Sequence, residues 1–179
     1  MLNNKNFNAS TTNWIGLWTL FSKETSRFLK VFYQTVLAPV VTNILFLTVF
    51  LIVIDRDNFL IGGVEYAEFL VPGLIMMQIL QNAFMNTTSS IMISKVQGNI
   101  VDLLLPPLSS LELTIALSLG GVARGMIVGL ASTIALYFFV DMKFLNFFYI
   151  IFFSFSGSLA LSLLGIMGGI WSEKFDHMA

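Results

Sequence analysis

The chain has 179 residues, 56% of them hydrophobic and only 11% charged, with a net charge of −1 and a mean hydropathy of +0.85. A soluble domain carries roughly 25% charged residues; here the charges collect at the two ends and in three breaks, which is the pattern of a multi-span membrane protein. With no cysteine and a single histidine, His177, the composition excludes a disulfide framework, a thiolate metal site, a cysteine nucleophile and a His-pair metal motif, and no basic cluster points to nucleic acid.

Residues 1–13 form a polar tail, without the apolar core and small-residue cleavage site of a signal peptide. In residues 14–33, Trp14, Leu17, Trp18, Phe21, Phe28 and Phe32 recur at helical spacing, with Lys23, Arg27 and Lys30 on another side. The aromatics suit the lipid interface and the cations suit anionic head groups, so the stretch predicts an amphipathic helix in the membrane plane. The plainer alternative is the frayed start of the first span. Span one covers about 35–54, long enough for roughly 30 Å of hydrocarbon. Pro39 falls near its start, where a missing amide costs least, and Asp55, Arg56 and Asp57 stop it.

A short loop over 61–68 leads to span two, about 69–94, with Pro72 and Gly73 marking its first turn or a re-entrant kink. Gln78, Gln81, Asn82, Asn86 and Ser89 share one helical face. Amides in hydrocarbon need partners, so this face meets another helix or lines a water-filled route. The next break, residues 95–112, reads KVQGNIVDLLLPPLSSLE. Gly98 and Asn99 can open a short helix through Ile100 and Val101. Asp102 then lies in its first turn, where a negative charge suits the helix dipole. Leu103, Leu104 and Leu105 give it an apolar side, and Pro106 and Pro107 end it. A rigid helix between two spans can pass a push from outside the membrane to the helices within; an ordinary tight loop is the alternative.

Span three, about 113–140, carries Gly121, Gly125 and Gly129, a doubled small-residue pattern that lets helix backbones approach closely. Arg124 is embedded among them, nearer the 95–112 end, which favours snorkelling to that surface or a structural ion pair over a direct part in transport. A tight turn at 141–143 leads to span four, about 145–171. Ser154, Ser158 and Ser162, then Gly165 and Gly169, form a second small-residue face and a natural partner for the first. Glu173, Lys174 and Asp176 end it. With the N-terminus inside, cytoplasmic segments hold six cations (Lys5, Lys23, Arg27, Lys30, Lys95, Lys174) against two outside, Arg56 and Lys143. That asymmetry makes the N-terminus and the 95–112 break cytoplasmic. The fold class is an all-α membrane protein: an N-terminal interfacial helix followed by four transmembrane helices.

Three stretches resemble the permease subunits of ABC-2 type exporters, the group that includes nodulation-factor, drug-resistance and polysaccharide export permeases. They are the entry (Gly16-Leu17-Trp18-Thr19-Leu20, Lys23-Glu24, Arg27-Phe28-Leu29-Lys30, Thr35 to Val40), Phe69-Leu70-Val71-Pro72-Gly73-Leu74, and the segment from Gly98 to Glu112. Gly168-Gly169-Ile170 with Lys174-Phe175-Asp176 is a weaker match. The resemblance implies a six-span fold of which residues 34–179 are a partial transmembrane domain. It also implies a separate soluble ABC ATPase that binds ATP and Mg, and a second permease subunit forming a homodimer in the bacterial inner membrane. It makes Gly98 to Pro107 the coupling helix and assigns Glu24, Arg27 and Lys30 to the connecting helix beside it. The chain ends where the family's fifth and sixth spans should begin, so a truncated reading frame or a fragment is expected.

The functional expectation is therefore a transport subunit without enzymatic activity or a cofactor of its own, moving an amphipathic, drug-like or lipid-linked glycan substrate outward. No phosphate-cradling GxxxxGK[ST] occurs. A membrane hydrolase or acyltransferase would need a nucleophile with a base, or a metal with ligands, inside the spans. A proton-coupled transporter would need an acid there. A non-transporting scaffold is the remaining alternative.

Overall fold

A computed structural model describes residues 12–54, 60–61, 63–142 and 146–172. Expectations that fall on residues 1–11, on Asp55, Arg56 and Asp57, on Lys143, and on Glu173, Lys174, Asp176 and His177 lie outside the described residues. Six α-helices are described: α1 (Trp14–Lys30), α2 (Ala38–Ile54), α3 (Tyr66–Val96), α4 (Ile100–Leu104), α5 (Ser110–Tyr137) and α6 (Phe147–Trp171). A two-residue hairpin, β1 (Leu60–Ile61) with β2 (Val64–Glu65), occupies part of the expected loop before span two. Gly63, at φ 86°, takes the left-handed conformation its turn requires. Among the described residues four helices are long and apolar enough to cross a membrane: Tyr33–Val53, Tyr66–Val96, Ser110–Tyr137 and Phe147–Trp171.

Local chemistry explains where the boundaries moved. Asn13 caps α1, its Oδ1 accepting from the Gly16 amide at 2.9 Å. Between α1 and α2 the chain widens into a π-helical turn, Tyr33–Leu37. Pro39 has no amide to offer the Thr35 carbonyl, and the wider turn absorbs the mismatch. The Thr35 hydroxyl holds the junction by donating to the Phe28 carbonyl at 2.9 Å. Pro72 lies well inside α3, beyond the first turn, and the helix runs through it without a re-entrant break. At 31 residues α3 is about 46 Å long, more than the hydrocarbon thickness, so it tilts or projects beyond the bilayer. Ser109 and Glu112 form a capping box that starts α5 three residues before the expected boundary.

α3 is the central helix, packed against α2, α5 and α6. The expected pairing of the two small-residue faces with each other is therefore only partly correct. A Cβ on Gly125 would sit 2.7 Å from the Ile79 carbonyl, and Gly129 is pressed on the Ile79 side chain. Gly165 is pressed on Thr87 and Phe84, and Gly169 on Ile91. Both glycine faces thus clamp α3, and only Gly121 reaches across to Ser162. Ser154 and Ser158 are buried, and the Ser154 hydroxyl lies 3.9 Å from the Met76 sulfur on α3. One apolar core near the α4 end joins Leu20, Ile91, Leu103, Ala116, Leu117 and Ile166. A second, at the opposite end, joins Leu47, Ala67, Val71, Leu74, Leu136 and Val140.

Candidate functional site

The break between α3 and α5 folds as the short helix α4, entered through Gly98 at φ 72° and left at Pro106 and Pro107. Asn99 occupies its N-cap position without a side-chain capping bond, and Ile100 is half-buried. Its apolar residues divide between two faces, contrary to a single leucine side. Leu103 is buried, whereas Val101, Leu104 and Leu105 are exposed along with Asp102 and both prolines. Leu103 points into the core shared with Leu17 and Leu20 of α1. The exposed set therefore forms a mixed apolar surface on a helix fastened from behind.

The fastening to α1 is also polar. Glu112 Oε2 accepts from the Ser109 amide at 2.7 Å, and its Oε1 accepts from the Asn13 amide at 2.6 Å. One carboxylate thus anchors the starts of α1 and α5, residues 99 apart in sequence. Gly16 lies so close to Leu108 that a Cβ there would approach its Cδ2 to 2.8 Å. On the other side of the break, Lys95 Nζ donates to the carbonyls of Ile170 and Ser172, the latter at 2.8 Å, and caps the end of α6.

The other end of α1 enters the interior. Glu24 is 1% exposed; its Oε1 accepts from the Ser90 hydroxyl at 2.8 Å. Its Oε2 lies 3.0 Å from Arg27 Nη2, an ion pair without hydrogen-bond alignment. Arg27 donates to the Asn86 carbonyl at 2.8 Å and the Asn86 Oδ1 at 3.1 Å. A longer contact, 3.4 Å, reaches the Ser89 hydroxyl. The expectation that Arg27 serves lipid head groups is thus corrected: it turns inward onto α3, while Lys23 and Lys30 are exposed. The helical period alone could not separate Arg27 from its fellow cations, because the partners that claim it lie some sixty residues downstream.

Gln78, Gln81, Asn82, Asn86 and Ser89 all line one cavity of about 600 Å³ between α1, α2, α3 and α5. Gln78, Asn82 and Asn86 are buried, and Gln81 stands exposed at its mouth. Arg124 lines the same cavity. It stands midway along α5, not toward one end, and donates from Nη2 to Asn82 Oδ1 at 3.1 Å. Asn82 in turn donates to the Gln78 Oε1 at 3.2 Å and the Gln78 carbonyl at 3.0 Å. The arginine is therefore held by an amide inside the bundle instead of snorkelling. Sequence reasoning named the amides and Arg124 separately; it missed that they meet, and it missed Gln34 and Thr35 on the cavity's far wall. A second cavity, about 840 Å³ and more apolar, lies between β2, α3, α5 and α6 against Pro72, Met76, Tyr149 and Phe153.

A long central helix clamped by glycine-bearing neighbours, a fastened surface helix and an amide-lined cavity together define a multi-span helical membrane protein with a cavity inside its bundle. The family model for the ABC-2 type transporter matches residues 16–179, and the chain belongs to that family. It is 32% identical over 166 residues to proteins named inner membrane transport permease YadH, of Escherichia coli K12 and of Shigella flexneri. These matches cover 93% of this chain and 65% of each relative, so the chain spans about two thirds of the length of the curated relatives it matches. No solved structure gives a significant match.

Proposed function

We propose that this chain acts as the transmembrane permease subunit of an ATP-driven ABC-2 type exporter in the bacterial inner membrane. A soluble ABC ATPase on another chain supplies ATP binding and hydrolysis. The N-terminus and α4 face the cytoplasm, in keeping with the exposed Lys23 and Lys30 on α1. A second copy of the permease completes the unit, and the exposed apolar stripe of Val41, Leu45, Val49 and Ile52 on α2 is available to it or to lipid.

One observation carries this reading. α1 is a single helix with one end locked to the α4 region through Asn13, Gly16, Leu17 and Leu20, and the other end planting Arg27 in the amide-lined cavity. At 17 residues it is about 25 Å long. A displacement of α4 by the ATPase therefore reaches the cavity through one rigid element, as alternating access requires. Val101, Asp102, Leu104, Leu105, Pro106 and Pro107 are the contact surface. Gln78, Gln81, Asn82, Asn86 and Ser89 are the route side, for an amphipathic, drug-like or lipid-linked substrate.

The test uses the soluble ABC ATPase that this reading requires, sought in the reading frame beside this one. Asp102→Cys should cross-link to it, and Leu104→Asp should abolish co-purification while leaving unfolding unchanged, because Leu104 is 64% exposed. Labelling of Asp102→Cys by a membrane-impermeant reagent in intact cells would place α4 outside and overturn the reading. For the route, Asn82→Leu should reduce transport with ATPase association intact; loss of assembly instead marks this face as packing alone.

A further inference from the structure

The cavity beside α3 holds more positive charge than its own lining balances. Arg27 is answered by Glu24 and by two oxygens of Asn86. Among the described residues Arg124 is answered only by Asn82, at 3.1 Å, and its Nε is buried without a hydrogen-bond partner there. Among the described residues Arg124 has no carboxylate within ion-pair distance. A guanidinium stays charged at any physiological pH, and one midway along a span costs several kcal/mol unless a counter-charge answers it. Asn82 gives its NH₂ to Gln78 and its oxygen to Arg124, which fixes the guanidinium at the cavity wall without neutralising it. Around this charge the lining is divided. Gln78 and Gln81 offer amides, while Phe28, Val31, Met85 and Ile93 offer apolar surface.

We propose that this cavity binds the anionic head group, phosphate or carboxylate, of an amphipathic molecule, with Arg124 as its counter-charge. The proposal rests on reading the cavity as the route side, and it narrows the substrate to acidic amphiphiles. The volume of about 600 Å³ lies within the range of small-ligand sites, enough for a head group and the first part of a chain. Glu24 does not compete for the role, since its carboxylate is already engaged by Ser90 and Arg27.

The test is binding to the 179-residue chain in phosphatidylcholine nanodiscs, by isothermal titration, with dodecyl phosphate as probe. Dodecyl phosphate should bind saturably, whereas dodecyl maltoside and dodecyltrimethylammonium should not. Arg124→Gln should weaken it by about tenfold or more, as loss of a close charge partner in a partly buried site implies. Arg124→Lys should keep most of the affinity. Because Arg124→Gln also removes the bond to Asn82, the exposed Gln81 gives a second, independent arm. Gln81→Lys should tighten dodecyl phosphate and Gln81→Glu should weaken it, opposite shifts that misfolding cannot produce. Equal binding of the maltoside, or indifference to both the Arg124 and Gln81 changes, overturns the proposal. Inorganic phosphate binding as tightly as dodecyl phosphate overturns its amphipathic half and leaves a free-anion site. Competition by phosphatidylglycerol added to the nanodiscs supports it and names membrane lipid as a source. ATPase co-purification, measured on the same preparations, separates the two readings: binding without co-purification removes the exporter role alone, and co-purification without binding removes the acidic ligand alone.

Discussion

Glu24 gives the sharpest test of how α1 is held. Its carboxylate is enclosed, accepting from Ser90 on one oxygen and facing Arg27 on the other. Removing one partner of a fully buried pair costs about 3–5 kcal/mol. Arg27 keeps two bonds to Asn86 and its side chain is 29% exposed, so about 2 kcal/mol is the fitting magnitude for the charge itself. The Ser90 hydroxyl adds about 1 kcal/mol if it loses its acceptor. Glu24→Gln, which keeps shape and acceptor, should therefore destabilise by about 2 kcal/mol. Glu24→Ala, which strips both contributions and the buried side-chain atoms beyond Cβ, should reach about 3–4 kcal/mol. The assay is SDS-induced unfolding in mixed micelles, followed by helical circular dichroism and by fluorescence. Trp14 and Trp18 both lie on α1 and so report its undocking. A double-mutant cycle of Glu24→Gln with Arg27→Gln should return a coupling of about 2 kcal/mol. Lys23→Ala, at an exposed position, should stay within about 0.5 kcal/mol of wild type. Wild-type stability in Glu24→Gln, or a coupling near zero, would show that α1 is held by its apolar contacts alone.

Three further changes follow from particular contacts. Gly165→Ala should destabilise by about 1–3 kcal/mol in the same assay, because its Cβ would meet the Phe84 carbonyl at 2.6 Å and only a backbone shift relieves that. Glu112→Ala removes a capping box and the Asn13 amide's acceptor together, about 1–2 kcal/mol, and hydrogen exchange should quicken in the first turns of both α1 and α5. Lys95→Met should free the carbonyls of Ile170 and Ser172 and raise exchange in the last turn of α6, with about 1 kcal/mol or less in global stability.

Much of the fold was legible because each span announces itself by length and apolarity, and because Gly98 and the two prolines bracket α4 by backbone chemistry alone. The amide face of span two was legible as a face, since spacing fixes which residues align on one helix. Spacing carries no information about what lies opposite. That is why spacing alone pairs the glycine faces with each other although both close on α3, and why it assigns Arg124 to the surface or to an ion pair although its partner is the Asn82 amide. Glu24 shows the same limit from another side: on an amphipathic helix a carboxylate next to cations reads as solvated, and only the approach of Gly120 and Ser90 makes it internal.

Where polar groups sit in this bundle follows coverage by protein. α2 is the least covered of the four spans and is almost wholly apolar; its buried amide, Asn43, is on the inward face. α3 is enclosed by three neighbours and tolerates Gln78, Asn82, Asn86, Thr87 and Thr88 as buried residues. Gln81 breaks this rule. It is exposed in the middle of α3, in a stripe with the exposed methionines Met77 and Met85. Its amide makes no hydrogen bond to the described residues. Facing hydrocarbon, an amide without partners costs several kcal/mol. At the mouth of a cavity whose wall carries an uncompensated guanidinium, the same amide can be met by water or by a bound head group. Its position is therefore better explained by a hydrated cavity than by one filled with lipid tails.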